Sequence, residues 1–506
     1  MPPTARRLGP DVVDRQVAIS SPAVAPDGRR VVYVRRTVER GGYRSGLWIV
    51  PAAGGRARRL TGGAHSDSCP SWSPDGTRIA FLSDRDGGVR RLYLIDPDGG
   101  EAELVCGAGD GLAAWPPAFS PDGRRIAFAA WSGGRRFWVG PPDARLAREI
   151  RTVDWRDDSG DANDRHSRLL VVAARPGARP RVVVGDGYRV EHPAWHPDCD
   201  RIAFEGDPGA DADLRPRPRI LEVAGTGGEP RELVRLAGAA RLPSWSPDGS
   251  QLAFVGVDVE HSPDWAEPEL WLLPQPAPAR SLSHRLDIPV TFAFGSDLHD
   301  WIHAYQPPPL WLDDRRIAVP VNRRGATEVA AIATDGGVET LLHGQVDVSG
   351  LAVAAGTAVA VISAGCAAPE LAVLTPSGPR TLTRDGGGWL RRHRQPSIRA
   401  VDAGGVPAYL LEPPGAGPAS ALVLHVHGGP WGAWGPTPEL GDLLLAELGY
   451  RVLLPNPCGS CGFGREWVRQ LQGRWGEPDA EDLRSSVDWA LGAGLADPAR
   501  LALVGL

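Results

Sequence analysis

The chain has 506 residues, a formal net charge of -6 at pH 7, and 42% hydrophobic residues. That length allows several domains with ample core, and the mild acidity excludes the basic face that a nucleic-acid partner needs. No stretch reaches the roughly 18 apolar residues of a membrane span, and the start of the chain lacks the apolar run of a secretory leader. Six cysteines (Cys69, Cys106, Cys199, Cys366, Cys458 and Cys461) are scattered without a disulfide framework. The expectation is a cytoplasmic protein in a reducing compartment, without membrane or nucleic-acid partners. No lysine is present; a uniform use of arginine marks no particular site.

From the N-terminus one phrase recurs: SPAVAPDGRRVVYV (21–34), CPSWSPDGTRIAFL (69–82), WPPAFSPDGRRIAFA (115–129), HPAWHPDCDRIAFE (192–205), LPSWSPDGSQLAFV (242–255) and PPLWLDDRRIAVP (308–320). Each is an apolar-aromatic strand, a Pro-Asp-Gly type turn, and an alternating strand, which predicts a hairpin. VSGLAVAAGTAVAVIS (348–363) fits a seventh copy without the turn residues. After most copies a second hairpin follows, as in RLYLID (91–96), LWLL (270–273) and ELAVLT (370–375). Four strands at a period of about 40–50 residues predict propeller blades. Residues 1–395 are thus expected to form an all-β seven-bladed β-propeller.

Wider gaps follow Asp122 and Asp248 and imply insertions. The first holds WRDDSGDANDRH (155–166), and the second holds HSPDWAEPEL and FAFGSDLHDWIH with His261, His299 and His303. Their spacings match no standard metal-ligand pattern, so solvated loops are expected there, with substrate contact the alternative.

The repeats stop at GGGWLRRHRQPSIRAV (386–401), whose Arg391, Arg392, His393 and Arg394 read as a basic hinge. A hairpin turning at Asp402, Ala403, Gly404 and Gly405 leads into ALVLHVHGGPWGAWG, RVLLPNPCGSCGFG, AEDLRSSVDWAL and ARLALVGL. Short Val/Leu runs ending in Gly, Pro or Asn alternate with helical spacing, the pattern of a parallel α/β sheet. Gly428 and Gly429 follow a buried strand, where paired glycines let backbone N–H groups approach developing negative charge. Val504 and Gly505 would open a Gly-x-Ser-x-Gly elbow if serine followed Leu506.

HGGPW, PNPCGSCGFG, the Trp475-Gly476 pair with Asp482, and DPARLALVG together resemble the catalytic domain of the prolyl oligopeptidase family of serine peptidases, in its acylaminoacyl-peptidase and dipeptidyl-peptidase-like branch. The resemblance implies a propeller followed by an α/β-hydrolase domain. Residues 396–506 would be the N-terminal half of that domain, incomplete because the serine, aspartate and histidine of the triad all come later in such chains. The chain is therefore expected to stop one residue short of its nucleophile and to be inactive as given. It implies hydrolysis of short peptides by acyl transfer, no cofactor and no metal. A homo-oligomer is compatible with it. A non-catalytic propeller scaffold and an esterase or amidase on the same fold are the alternatives.

Under that resemblance Gly428 and Gly429 form the oxyanion loop, with the Gly429 N–H the preferred donor. Trp431 and Trp434 either wall the substrate pocket or cover the sheet edge. His425 and His427 share a face of their strand, and His427 is expected to brace the loop. Cys458 stands where the family usually has arginine. The CxxC of Cys458 and Cys461 lacks the second CxxC of a zinc site. Asp482 is expected in the first turn of a helix, in a structural role.

Overall fold

The computed structural model describes residues 7–505 apart from 40, 64, 108–110, 113–114, 133–152, 154–155, 158–159, 162–165, 210, 260–265, 293–295, 301–305, 391–392, 418 and 430. Among the described residues, seven antiparallel meander sheets and a small two-stranded ribbon (Arg156–Asp157 with Gly160–Asp161) precede a mixed sheet. The first strands of the seven are Val17–Val24, Asp67–Trp72, Ala118–Phe119, Glu191–Trp195, Ala239–Trp245, Leu310–Trp311 and Asp347–Ala354. Their outermost strands are Arg58–Arg59, Glu103–Cys106, Arg181–Val184, Arg231–Val234, Arg280–Ser281, Val338–Leu342 and Gly378–Thr381. These are the seven blades of a β-propeller, and the α/β sheet that follows is an incomplete α/β-hydrolase domain.

The repeated phrase builds its hairpins through one local device. In blade 2, Ser73 Oγ donates to Asp75 Oδ1 at 2.6 Å, and the same carboxylate accepts from the N–H of Thr77 at 3.0 Å. Gly76 then takes φ +71, open to glycine at little cost. Ser120 with Asp122 and Ser246 with Asp248 repeat the arrangement. Blade 4 puts Cys199 at φ +66 in the glycine position. The seventh copy turns through Ala355 and Gly356, both at positive φ, so its hairpin survives without the aspartate.

By contacts the chain forms two compact units. Residues 1–58, 262–270 and 281–506 make one, and 59–261 with 271–280 make the other. Within the first, blade 7 meets blade 1: Ile19, Val31 and Tyr33 share a core with Val359, Val361 and Leu371. Arg380 donates to the Ala52 carbonyl at 2.6 Å across the same seam. In the second, Ile202, Phe204, Leu221 and Trp195 of blade 4 pack on Leu169 and Val171 of blade 3.

The second insertion differs from the solvated loop expected of it. Phe292, Leu298, His299 and Asp300 are buried, because their polar atoms find partners in distant blades, as detailed below. His261 and His303 lie outside the described residues, as do Arg391 and Arg392 and most of the first insertion. His393 is buried with Nδ1 3.0 Å from the Arg7 carbonyl, so this part of the basic hinge is packed.

The mixed sheet comprises β1 (Ser397–Asp402), β2 (Pro407–Glu412), β3 (Ser420–Val426), β4 (Arg451–Pro455) and β5 (Ala496–Gly505), in the order β1-β2-β4-β3-β5. β3 lies parallel to β4 and to β5, while β1 and β2 form the antiparallel hairpin. Helix α1 (Leu440–Glu447) follows β3, α2 (Arg465–Arg469) follows β4, and α3 (Pro478–Gly492) precedes β5. One sheet face buries Tyr409, Leu411, Val423, Val452 and Leu454 against α1, Leu8, Val12 and Leu298. The other buries Leu410, Leu422, Leu424 and Leu453 against α3. Leu448 ends α1 and Gly449 follows at φ +94, a positive φ that glycine adopts at little cost.

Candidate active site

The chain leaves β3 at Val426 and forms an arm, described at residues 427–429 and 431–437. Gly428 and Gly429 are exposed. Gly429 sits at φ +146, where an added Cβ would come 2.7 Å from the N–H nitrogen of Trp431. The arm therefore needs glycine there, and it presents main chain rather than side chains to the exterior.

Everything behind the two glycines is fixed. His427 places Nδ1 2.9 Å from the Gly428 carbonyl and Nε2 2.9 Å from Ser460 Oγ. Burial depresses the His427 pKa, with the Gly428 carbonyl opposing, so the ring is neutral and acts as a brace. Cys461 N–H donates to the Gly432 carbonyl at 3.0 Å. Asn456 clamps Trp434 twice: its Oδ1 accepts from the Trp434 N–H at 2.7 Å and its Nδ2 donates to the Trp434 carbonyl at 3.1 Å. The indole of Trp434 donates to the His425 carbonyl at 2.9 Å and is only 3% exposed. Trp431 is half-buried beside the glycines. Of the two tryptophans, Trp434 is thus a core residue in position and Trp431 the one reaching the surface.

The loop after β4 is held in turn by propeller residues of the same unit. Gly462 N–H donates to Glu267 Oε1 at 3.0 Å, and Arg324 N–H donates to the Gly462 carbonyl at 2.8 Å. An added Cβ on Gly462 would meet Asn322 Oδ1 at 2.0 Å, so glycine is obligatory at this approach. Arg465 NH2 reaches Glu269 Oε1 at 3.0 Å. Asp347 of blade 7 accepts from the Thr437 N–H at 3.1 Å at the far end of the arm. Burial pushes Asp347 and Glu267 up to about 7, against the hydrogen bonds they accept.

The decisive register is at the top of the sheet. β5 runs parallel beside β3, pairing His425 with Val504 and Val426 with Gly505. The strand that leaves at Gly505 therefore emerges alongside the glycine arm, at the carboxyl ends of parallel strands, where α/β folds assemble their sites. A family model described as TolB beta propeller domain matches residues 7–149, and one described as Prolyl oligopeptidase family matches residues 442–506. Residues 442–506, which include most of α1 and all of α3 and β5, thus carry the match to the prolyl oligopeptidase family.

A relative in Bacillus subtilis, described as an uncharacterized peptidase YuxL, is 29% identical over 98% of this chain and 78% of its own length. Dipeptidyl aminopeptidase BIII of Pseudoxanthomonas mexicana is 37% identical over 17% of this chain and 12% of its own. Among solved structures, Pyrococcus horikoshii acylaminoacyl peptidase superposes with a TM-score of 0.76 at 17% identity, covering 98% of this chain and 74% of that one. A Mycobacterium tuberculosis puromycin-hydrolyzing peptidase gives 0.70 at 19% identity, over 99% and 76%. These structures establish the fold.

In this prolyl oligopeptidase fold the remaining marked residues take structural places. Cys458 and Cys461 are buried free thiols, each pushed up to about 12 by burial. Asp482 Oδ2 accepts from the Cys458 N–H at 2.8 Å. It lies in the second turn of α3, not the first, because the helix begins at Pro478. Two histidine-carboxylate groups have ligand atoms within 4.8 Å of one another. In Glu191, His192 and Glu205, the Arg241 guanidinium already sits 3.2 Å from Glu205. In His425, Glu439 and Asp442, the carboxylates are engaged by His425 Nδ1 and the helix N–H groups. No described helix is long and apolar enough to cross a membrane.

Sequence reasoning found the arm and its histidine. It missed Asn456, Glu267 and Asp347. The signal for Asn456 was present, since asparagine stands near the start of the PNPCGSCGFG phrase; Glu267 and Asp347 carry none, being propeller residues whose partners lie 195 and 90 residues away.

Proposed function

We propose that this protein is a serine-type peptidase that cleaves short peptides by acyl transfer. Its oxyanion donor is the Gly429 N–H, with Gly428 shaping the arm. The Val426 to Gly505 register carries the reading: a nucleophile in the turn leaving Gly505 stands beside the exposed glycines. Trp431 lines the adjoining pocket, and buried Trp434 supports it from behind. A serine there attacks the scissile carbonyl, a histidine takes its proton, and the arm and the N–H after the serine hold the tetrahedral oxyanion. No metal or cofactor takes part in this scheme. Residues 1–395 act as the propeller and 396–506 as the hydrolase portion, and the free cysteines fit a cytoplasmic setting.

A fluorophosphonate probe tests the assignment. Residues 1–506 alone should not label and should hydrolyse no aminoacyl or acylaminoacyl amide, because the nucleophile is placed after Gly505. A longer form of the chain that carries serine after Leu506 should label at that serine. Labelling within 1–506 overturns the placement, absence of labelling in both favours a scaffold, and turnover of esters without amides makes it an esterase.

A further inference from the structure

Segment 296–300 is stitched at both sides. Toward the blades, Ser20 Oγ donates to Asp300 Oδ2 at 2.7 Å and Arg36 NH1 lies 3.0 Å from Asp300 Oδ1. Gln16 Nε2 donates to the Asp297 carbonyl at 2.8 Å, and His299 Nε2 is 2.7 Å from Ser363 Oγ. Toward the hydrolase portion, Ser296 Oγ donates to the Pro438 carbonyl at 2.7 Å, and Leu440 N–H donates to Asp297 Oδ1 at 2.7 Å. Asp297 thus caps α1 from outside the helix, directly after the glycine arm.

That helix start already holds its own carboxyls. Glu439 and Asp442 form a capping box, in which the Glu439 N–H donates to Asp442 Oδ2 at 3.0 Å. Asp442 Oδ1 lies 2.7 Å from His425 Nδ1 on β3. Three largely buried carboxyl groups therefore crowd one turn. The His425 imidazole is the cationic group facing them among the described residues. Arg36 sits on Asp300, and Arg7 faces Glu447 at the far end of α1 at 3.9 Å. The Cys366 thiol approaches Asp442 from blade 7 and is itself pushed up to about 12 by burial and then by that carboxylate. Three carboxylates in such a space cannot all ionise cheaply.

We propose that segment 296–300 is a proton-dependent latch on the glycine arm: a proton held on Glu439 or Asp297, beside the Asp442 carboxyl, keeps the segment seated on the start of α1, and its loss releases α1 and the arm leading into it. Burial, then Asp297 and Asp442, push Glu439 up to about 7, with His425 opposing. Asp297 is likewise raised by burial, the Leu440 N–H opposing and Asp442 adding to it. A carboxyl raised in the folded state binds more protons there than when unfolded. Its stabilisation is full below its ordinary value of 4.5 and is lost as pH rises through about 7. Burial disfavours the charged form of His425, yet the bonded Asp442 holds its pKa above the usual value, so its attraction also fades as pH rises. The latch rests on the peptidase reading only in calling the arm an oxyanion arm; its readout needs no turnover.

Hydrogen exchange of the full chain, corrected for intrinsic rates, reads the latch directly. Protection of 431–448 should fall ~tenfold between pH 6 and pH 8, as expected for one carboxyl titrating near 7. Strand Ile79–Ser83 of blade 2 should not follow. E439Q mimics the protonated acid and should keep 431–448 protected at pH 8, with wild-type protection at pH 6 showing that it is folded. D297N asks the same question from the other side of the contact if E439Q folds poorly. Unchanged protection in the wild type, or an equal fall in the variants, overturns the proposal.

Discussion

Asn456 shows how much a single side chain carries in this arm. It satisfies both the N–H and the carbonyl of buried Trp434, whose own indole holds the end of β3. Removing it leaves two buried main-chain groups without partners, each worth ~1–3 kcal/mol. Asn456→Ala should therefore destabilise the chain by ~2–4 kcal/mol, read as a lower urea midpoint at unchanged slope. Asn456→Asp should recover only the Trp434 N–H contact and so part of that loss. At this scale the sequence revealed the two glycines, because HGGP is a local phrase whose meaning lies in backbone freedom. It concealed the clamp, because an asparagine in a loop looks the same whether it faces water or a buried peptide group. The same holds for Asp347 and Glu267, whose burial is decided by Thr437 and Gly462, far along the chain.

The blade hairpins were legible because each is built locally, from a serine, an aspartate and a residue at positive φ within a few positions. Blade 4 departs from the rule at one point. Cys199 holds φ +66 where the other copies have Gly76, Gly123 and Gly249 near +71 to +74. A side chain pays ~1 kcal/mol for that conformation, and the thiol accounts for little of it, donating only weakly to the Pro197 carbonyl at 3.8 Å. The neighbouring contact, Arg125 NH2 on the Cys199 carbonyl at 2.6 Å, is main-chain and survives substitution. Cys199→Gly should thus stabilise by ~0.5–1 kcal/mol, seen as a raised thermal midpoint; a fall would mean the thiol packs better than its surroundings suggest. Segment 296–300 lies at the opposite extreme of legibility. Its serine, histidine and aspartates read as a solvated loop, and nothing nearby in sequence supplies the arginine, serines and helix N-terminus that bury them.

At the scale of the molecule, the hydrolase sheet is covered unevenly. β2, β3 and β4 are buried on both faces, one side shared with Leu8, Val12 and Leu298. β5 pairs with β3 along one edge only, and Leu501, Leu503 and Val504 are 43%, 70% and 43% exposed. The Val/Leu-rich run marked β5 as a strand for burial on both faces, and its apolar character is at odds with the solvent it meets here. An apolar edge with unpaired N–H and C=O groups recruits other strands. Residues 1–506 should therefore self-associate with rising concentration, and Leu503→Arg should suppress this by placing a charge on the most exposed position of that strand. Val338→Arg, on the outer strand of blade 6 and 46% exposed, tests whether any added charge suffices. Light scattering at matched concentrations separates the two. If both variants stay dispersed where the wild type does not, a local charge on any exposed strand suffices and β5 is not singled out; if only Leu503→Arg does, β5 is the sticky edge. Because Leu503 contributes little buried surface, its replacement should leave the unfolding midpoint within ~0.5 kcal/mol of wild type, so that a loss of association cannot be traced to a loss of fold.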